Sequence, residues 1–340
     1  MKAKSITWLT LPLVAAAILL AACGPQQSPS EQANATFDAL FDESLKTSPE
    51  FMTYLGMRER YDEWDDNSEQ AYQDSVALTQ KHLETLKAID ASALDKVSAL
   101  SLKLYKQRLE NGLEDTQWRY HGYPVNQMFG THSSIPSFLI NQHLIAHPDE
   151  ARAYVARVKA VPLVLDELIS DLSIRADKGI IAPKFVFAHS IRDSQNIIAG
   201  IGEESEEENP LVADFKAKVD KLALDESVAA QLMTELNAAL VNQFVPAYEK
   251  LIATLEQLEA RSEGNFGVWK LPDGADYYAN ALQRITTTDL TADQIHELGL
   301  SEVARIHDEM RAIMQQVEFD GDLLAFFEFM RTDPQFYLDN

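Results

Sequence analysis

The sequence predicts an all-α protein, an array of long, partly kinked helices with two irregular, pocket-like loops. Apolar residues recur at three- and four-residue spacing along most of the chain, which is the period of an amphipathic helix. The sequence contains no series of short alternating strands and no repeat of fixed period. With 340 residues, 46% of them hydrophobic and 24% charged, the chain can form a substantial folded core.

The N-terminus has the order of a bacterial secretory signal. Lys2 and Lys4 precede an apolar run that is marginal in length for a permanent membrane span. The run ends in Leu-Ala-Ala-Cys-Gly, which resembles a lipobox, the motif at which cleavage leaves an acylated cysteine as the first residue. We therefore predict a lipoprotein signal peptide over residues 1–22.

Cys23 is the predicted lipidation site. It is the only cysteine of the chain, so it cannot form an internal disulfide, and its thiol is available for lipid such as palmitate. By resemblance to bacterial sorting rules, Gly24 after the cysteine favours the outer membrane. An ordinary signal peptide with an incidental cysteine is the alternative. A polar tether is expected over residues 23–34, followed by one helical domain over residues 35–340.

The charge of the chain excludes one class of partner. Its formal net charge is −24, from 29 Lys and Arg against 53 Asp and Glu. Nucleic-acid binding depends on clustered Lys and Arg that neutralise phosphates. We therefore expect no nucleic-acid partner, and the expected contact with the membrane is through lipid at Cys23.

Four long helices are expected from the apolar periodicity of the body. The first follows a cap at Asn67 or Ser68. The others run from about Ser92 to Tyr120, from Pro148 to Gly179, and from Asp225 to Ser262. Pro162 and Pro246 are expected to kink the last two, because proline lacks the backbone N–H and its ring crowds the preceding turn.

Two regions are irregular and richer in specific side chains. They cover residues 120–138, with His121 and His132, and residues 264–278. Long irregular connections in a helical protein often line pockets, and structured surface loops are the alternative.

A further helix is expected to begin after Thr291, with Gln294 completing a capping box, and it carries the pair His296-Glu297. That pair opens many zinc-hydrolase helices, which need a second histidine four residues after the first. Position 300 is Leu300, and His307 lies roughly 16 Å further along the helix axis. We therefore predict no zinc site on this helix.

Its acidic residues and one other histidine pair offer alternatives. Glu297, Glu302 and Glu309 are expected to be solvated charges, and a catalytic role for them is the alternative. His143 and His147 have the spacing to share a metal ion if their stretch is helical, but no third ligand is apparent. We therefore predict no metal site here either.

The stretch Leu271–Met310, "LPDGADYYANALQRITTTDLTADQIHELGLSEVARIHDEM", resembles a bacterial lipoprotein family catalogued as domain of unknown function 885. The earlier stretches "YPVNQMFG" and "RADKGIIAPKFV" are similar to that family too. Members resemble helical zinc metallopeptidases through a His-Glu-x-x-Pro-Gly-His stretch in their later half, which this sequence lacks.

The resemblance implies one of two functions. The chain is expected to be the leading portion of a longer metallopeptidase-like hydrolase, with zinc only in that longer form and a peptide or small molecule as substrate. The alternative is a non-catalytic periplasmic binding or scaffold lipoprotein. No catalytic residue can be assigned to this chain. Tyr277 and Tyr278 match the family pattern as candidate substrate contacts, and buried core tyrosines are the alternative.

Overall fold

The fold is all-α, as predicted. In the computed structural model, residues 27–202, 208–264 and 266–338 are described. Within these ranges the chain forms helices and turns, and the strand-like pairing recorded there is an isolated antiparallel bridge between Val125 and Gly130.

The chain divides into two compact units, Met1–Gly264 and Asn265–Asn340. The single helical domain expected over residues 35–340 stays a prediction. The division falls where Gly264, Gly267 and Pro272 follow one another closely, because such residues end helices and supply little apolar surface for packing.

The first unit is a series of helices joined by connections of varied length. They span Pro29–Leu45 (α1), Pro49–Tyr54 (α2), Glu69–Lys87 (α3), Lys96–Glu114 (α4), Thr131–Asn141 (α5), Pro148–Asp177 (α6), Lys184–Ile198 (α7), Pro210–Asp220 (α8), Glu226–Ala239 (α9) and Val245–Arg261 (α10). A 3-10 turn, Asp115–Trp118, extends α4, and a π-helical segment, Leu240–Phe244, joins α9 to α10.

The second unit contains helices of the same kind. They span Gly274–Thr286 (α11), Ala292–Gln316 (α12) and Leu323–Thr332 (α13), with 3-10 turns at Val268–Lys270 and Pro334–Phe336. The predicted cap of α12 is confirmed, since the Thr291 side chain accepts from the Gln294 N–H and the Gln294 side chain accepts from the Thr291 N–H.

The long helices of the first unit lie close to the predicted positions. The side chain of Ser68 accepts from the N–H of Ala71 and caps α3. Helix α6 begins at Pro148, and Gly179 just beyond its end has a φ of 79°, which a glycine adopts without strain. The helix predicted from Ser92 begins only after Asp95, whose carboxylate accepts from two backbone N–H groups of α4.

The two prolines have different effects on their helices. Around Pro246, the predicted helix becomes α9, the π-helical segment and α10 in direct succession. A proline ring crowds the carbonyl four residues earlier, here that of Asn242, and the wider π turn relieves this crowding. Helix α6, in contrast, continues through Pro162.

Three predicted irregular segments are shorter than expected. The tether predicted over residues 23–34 gives way to α1 at Pro29, because Ser28 and Glu31 form a capping box there. The region predicted over residues 120–138 ends where α5 begins at Thr131, and the one over residues 264–278 ends where α11 begins at Gly274.

The main core of the first unit surrounds α6. This helix packs against α5, α8, α9, the π-helical segment and α10, and α10 also packs against α7. A smaller apolar cluster, built on the buried Leu40, Leu86 and Leu102, holds α1, α3 and α4 together. The N-terminal helices therefore have a core of their own.

A buried arginine connects the segment before α3 to α6. Arg157 on α6 is fully buried, and its guanidinium donates to the Glu63 carbonyl at 3.0 Å and to the Thr53 hydroxyl at 2.8 Å. It also lies 3.0 Å from Nδ1 of His143. In return, the indole N–H of Trp64 donates to the Arg157 carbonyl at 2.9 Å.

The charge of Arg157 is balanced by aromatic rings and neutral acceptors. Its guanidinium carbon lies 4.8 Å from the ring centroid of Phe138 and 5.1 Å from that of Tyr61. Burial lowers the pKa of Arg157 to about 10, so the side chain is still a cation at neutral pH. Burial lowers the pKa of His143 to about 3, so its neutral ring can accept from the arginine.

Replacing this arginine tests its structural role. In Arg157→Met, the Thr53 hydroxyl, the Glu63 carbonyl and Nδ1 of His143 lose a donor while apolar volume is kept. We expect the free energy of unfolding to fall by about 2–4 kcal/mol, since each buried polar group left unsatisfied costs about 1–3 kcal/mol. Urea denaturation followed by far-ultraviolet circular dichroism measures the change.

Arg152→Met is the matched control on the same helix. The side chain of Arg152 is 56% exposed and pairs with Asp149 one turn away, an interaction that contributes little to stability. We expect a change below about 1 kcal/mol. Equal losses for the two variants would contradict a special role for Arg157.

Candidate functional site

Three adjoining cavities form a cleft in the first unit. Cavity A has a volume of about 580 Å³, cavity B about 420 Å³ and cavity C about 260 Å³. Cavities A and B share Tyr72, Ser75 and Arg119 as lining residues. Cavities B and C share Asn67, Thr131 and Val164. The shared residues make the cavities one surface, which extends from the N-terminal helices to α6.

Cavity A is the most apolar part of the cleft. It lies among α1, α2, α3 and α4, and its apolar and aromatic lining residues are Phe41, Leu45, Phe51, Tyr72, Val76, Tyr105, Leu109 and Leu113. Arg108 lies exposed at its rim. Gly112 also lines this cavity, and a Cβ added there would meet no atom within 4 Å. Cavity A can therefore accept apolar side chains of a ligand.

Arg119 stands between cavities A and B. Its guanidinium carbon lies 3.5 Å from the ring centroid of Tyr72, and Nη1 lies 2.6 Å from a carboxylate oxygen of Glu69. The side chain is only 19% exposed. Stacking on Tyr72 and the ion pair with Glu69 hold the guanidinium in place. The Arg119 side chain therefore supplies a fixed cation between the two cavities.

Cavity B combines cations and carboxylates. Arg175 donates from Nε to Asp171 at 2.7 Å and from Nη1 to the Gly122 carbonyl at 2.9 Å. The carboxylate of Glu167 accepts from the backbone N–H of Asn67 at 3.1 Å. Hydrogen bonds thus hold these groups before any ligand arrives, which lowers the entropic cost of binding.

Two carboxylates, those of Glu50 and Asp65, line cavity C. Asp65 accepts from the Ser48 hydroxyl at 2.6 Å and from the Glu50 backbone N–H at 2.9 Å, so it supports the first turn of α2. In return, the Glu50 carboxylate accepts from the Asp65 backbone N–H at 3.2 Å. Trp64, which the carbonyl of Arg157 orients, lines the same cavity.

Two carboxyls of the cleft have raised pKa values. Burial, followed by repulsion from Asp65, raises the pKa of Glu50. Burial, with repulsion from Asp66, raises that of Glu167, although its hydrogen bond from Asn67 opposes the shift. A raised pKa means that the surroundings do not fully stabilise the negative charge of the ionised carboxylate. A ligand cation near either group would therefore be stabilised.

One glycine allows the loop beside the cleft to close. Gly130 has a φ of 155°, and a Cβ there would lie 2.6 Å from the Pro124 carbonyl oxygen and 2.9 Å from Cα of Val125. The loop that it closes brings Pro124 and Thr131 to the wall of cavity B. The part of the predicted irregular region that remains a loop therefore does line a cavity.

The histidines considered in the sequence do not fit a zinc site. Nδ1 of His143 lies 3.0 Å from Arg157 and Nε2 lies 2.9 Å from the Glu150 carbonyl, so neither nitrogen is open to an ion. The chain around His143 and His147 is not helical, so the spacing of these residues does not put them on one helical turn. Among the described residues, no group of three or more His, Cys, Asp or Glu is arranged to hold a metal ion.

The other predicted site residues lie in the second unit. His296 and Glu297 are on α12, with Leu300 one turn further on, where a zinc helix requires histidine. Tyr277 and Tyr278 lie on the first turns of α11, where Tyr277 is half-buried and Tyr278 is 45% exposed. Their role as substrate contacts, with core tyrosines as the alternative, stays a prediction.

The sequence did not reveal the cleft residues as a set. Glu50, Asp65, Arg119, Glu167 and Arg175 come from four separate parts of the first unit and belong to no recognisable motif. The available signals were local, such as Ser48 before Pro49 as a helix start. Only the packing of the N-terminal helices against α6 brings these side chains together.

The raised pKa of Glu50 predicts a pH-dependent effect on stability. Ionised Glu50 is disfavoured in the folded state, so wild-type stability should decrease as pH rises from about 4.3, the unfolded value, through the raised folded value. Glu50→Gln cannot ionise and retains an acceptor for Asp65. We expect the unfolding free energy of the variant, minus that of wild type, to increase over this window.

Urea denaturation at a series of pH values between about 4 and 8 measures that difference. It should level off once the folded-state carboxyl is fully ionised. A difference that is constant across the whole series would contradict the raised pKa.

Two solved structures are similar to this chain. A proposed lipoprotein from Colwellia psychrerythraea matches with a TM-score of 0.77 and 21% identity, over 92% of this chain and 55% of its own. A proposed lipoprotein of unknown function from Shewanella oneidensis matches with a TM-score of 0.58 and 16% identity, over 86% of this chain and 48% of its own. These likenesses show the fold, and the chain spans about half the length of the structures that it matches.

The remaining comparisons concern family and membrane. No curated protein matches the chain significantly. None of the helices in the described ranges is long and apolar enough to cross a membrane. The model of the family described as bacterial protein of unknown function, DUF885, matches residues 49–340, which include the lining of cavities B and C. The chain therefore belongs to the DUF885 family.

Proposed function

We propose that this chain is the peptide-binding portion of an exported, lipid-anchored hydrolase of the helical metallopeptidase type. The cleft formed by cavities A, B and C carries the proposal, because it is pre-formed, partly apolar and supplied with fixed charges. Family membership and the resemblance of family members to zinc metallopeptidases support the reaction class. The hydrolytic centre is assigned to residues outside this chain, in a longer form.

The lining of the cleft suits a peptide better than a small polar metabolite. Cavity A offers aromatic and aliphatic walls, and each of the three cavities alone approaches or falls within the usual range of ligand sites, about 300–1,000 Å³. A ligand that fills more than one of them must be extended and must carry both apolar side chains and polar backbone groups. An oligopeptide meets these requirements.

The charges along the cleft favour one orientation of that peptide. Arg108 lies at the rim of cavity A and Arg119 between cavities A and B, whereas Glu50 and Asp65 lie in cavity C. A peptide carboxylate is stabilised near the arginines, and an ammonium group near Glu50, whose pKa is raised by burial. We propose that a peptide lies with its C-terminus in cavity A and its N-terminus towards cavity C.

Lipid attachment at Cys23 would hold this cleft at a membrane surface. The proposal rests on the lipobox-like residues before Cys23, which lie outside the described residues, and on the lipoprotein descriptions of the two similar structures. Gly24 supports the outer membrane as the destination. Attached acyl chains anchor a protein without a membrane-spanning helix.

Filling cavity A tests peptide binding. Gly112→Phe places a ring in open space within the cavity, so we expect affinity for peptides to fall at least tenfold, or about 1.4 kcal/mol. The probe is a synthetic mixture of tri- to hexapeptides with free termini and Leu or Phe at varied positions. Isothermal titration calorimetry of purified chains starting after Cys23 measures the affinity.

Gly112→Ala is the matched control. It leaves the cavity open and should stabilise α4 by up to about 1 kcal/mol, because alanine is the better helix former. We expect it to bind peptides as wild type does. Wild-type protein that binds none of the peptides, or variants that bind equally well, would contradict a peptide site in cavity A.

Two substitutions at the signal segment test the anchor. Cys23→Ser should release the protein from membranes or leave it as an unprocessed precursor. Gly24→Asp should keep the lipid but move the protein from the outer to the inner membrane, because sorting depends on the residue after the cysteine. Membrane fractionation with immunoblotting measures both effects, and a Cys23→Ser protein that stays processed and membrane-bound would refute lipidation.

A further inference from the structure

Helix α12 presents an apolar stripe that the second unit leaves largely open. The helix spans Ala292–Gln316, and of its residues only Met314 is buried. Ile295 and Met310 on the same side are half-covered. The exposed members of the stripe, with their exposed fractions, are Leu298 (51%), Val303 (51%), Ile306 (38%), Ile313 (48%) and Val317, just beyond the helix (59%).

Charged residues of α12 pair with one another along the helix. Arg305 pairs with Glu302 at 2.8 Å and with Glu309 at 2.6 Å, and Arg311 pairs with Asp308 at 2.7 Å. Pairs of this kind support a helix weakly, and most of the stability of an amphipathic helix comes from covering its apolar face.

The similar structures indicate what can cover the stripe. The match to the Colwellia protein covers 92% of this chain, so it includes most of the second unit, yet it accounts for only 55% of the Colwellia chain. The same fold therefore occurs inside a chain with nearly as much polypeptide again. That additional polypeptide is the candidate to cover the stripe.

We propose that the stripe Leu298, Val303, Ile306, Ile313 and Val317 is a docking face for a helical polypeptide segment. The segment is equivalent to the part of the Colwellia protein that this chain does not match. It presents apolar side chains at three- and four-residue spacing to the stripe. Because the chain has a formal net charge of −24, Lys or Arg side chains flank the apolar residues of the segment.

Two other occupants are disfavoured by charge. A second copy would bring two chains of net charge −24 together with acidic borders facing each other. An anionic lipid surface attracts helices with basic borders, and α12 carries Asp293, Glu297 and Glu302 instead. A partner segment with Lys or Arg beside its apolar residues avoids both of these charge repulsions.

Thiol labelling tests whether the face is covered. Val303→Cys lies in the stripe, and Ser301→Cys lies on the other side of the helix as the matched control. The variants are expressed from the native locus, and isolated native membranes are treated with a water-soluble maleimide. Cys23 is the only natural cysteine, so when it carries lipid each variant has a single reactive thiol.

We expect Val303→Cys to react at least tenfold more slowly than Ser301→Cys in native membranes, which corresponds to about 1.4 kcal/mol of docking free energy. In the purified chain starting after Cys23, where both positions are exposed, the two should react at similar rates. Equal rates in native membranes would overturn the proposal.

A photo-crosslinking amino acid at position 306 identifies the occupant. Mass spectrometry of the crosslinked peptide should show a helical sequence that matches the remainder of the Colwellia protein, whether on the same polypeptide or another. A crosslink to residues 27–338 of a second copy, to lipid, or to a protein without that similarity would overturn the proposal. Circular dichroism of the purified variants checks that α12 remains folded.

Discussion

The burial of Arg157 is the constraint on which the arrangement of the first unit depends. A cation in a protein interior is costly unless its donors find acceptors, and here the acceptors come from α2, from the segment before α3 and from the His143 region. Satisfying one guanidinium therefore fixes three distant parts of the chain against α6. Trp64 is held by the Arg157 carbonyl, which places cavity C beside this cluster.

How far the sequence predicts the structure depends on the range of the interactions. Local signals were sufficient for the all-α class, the caps at Ser68 and Thr291 and the start of α6 at Pro148, because each involves residues within one or two turns. The capping box of Ser28 and Glu31 was an available signal that a composition-based tether prediction missed. The cleft could not be predicted, since it depends on contacts between residues up to about a hundred positions apart, such as Asn67 and Glu167.

The two units differ in how much of their apolar surface they bury. The first unit has its own cores, a pre-organised cleft and carboxyls such as Glu50 whose charge a ligand can compensate. The second unit buries few of its apolar side chains and leaves most of the α12 stripe open. Under the function proposed above, the cleft of the first unit would bind substrate and the α12 stripe of the second unit would dock a further segment.

Hydrogen–deuterium exchange of the purified chain with the peptide mixture tests the central claim, that the cleft is a ligand site, most directly. Peptide binding should slow amide exchange at the cavity walls, in residues 66–75, 105–119 and 164–171, and leave α12 unchanged. Exchange that stays the same in all three segments, or that slows only in the second unit, would contradict the claim.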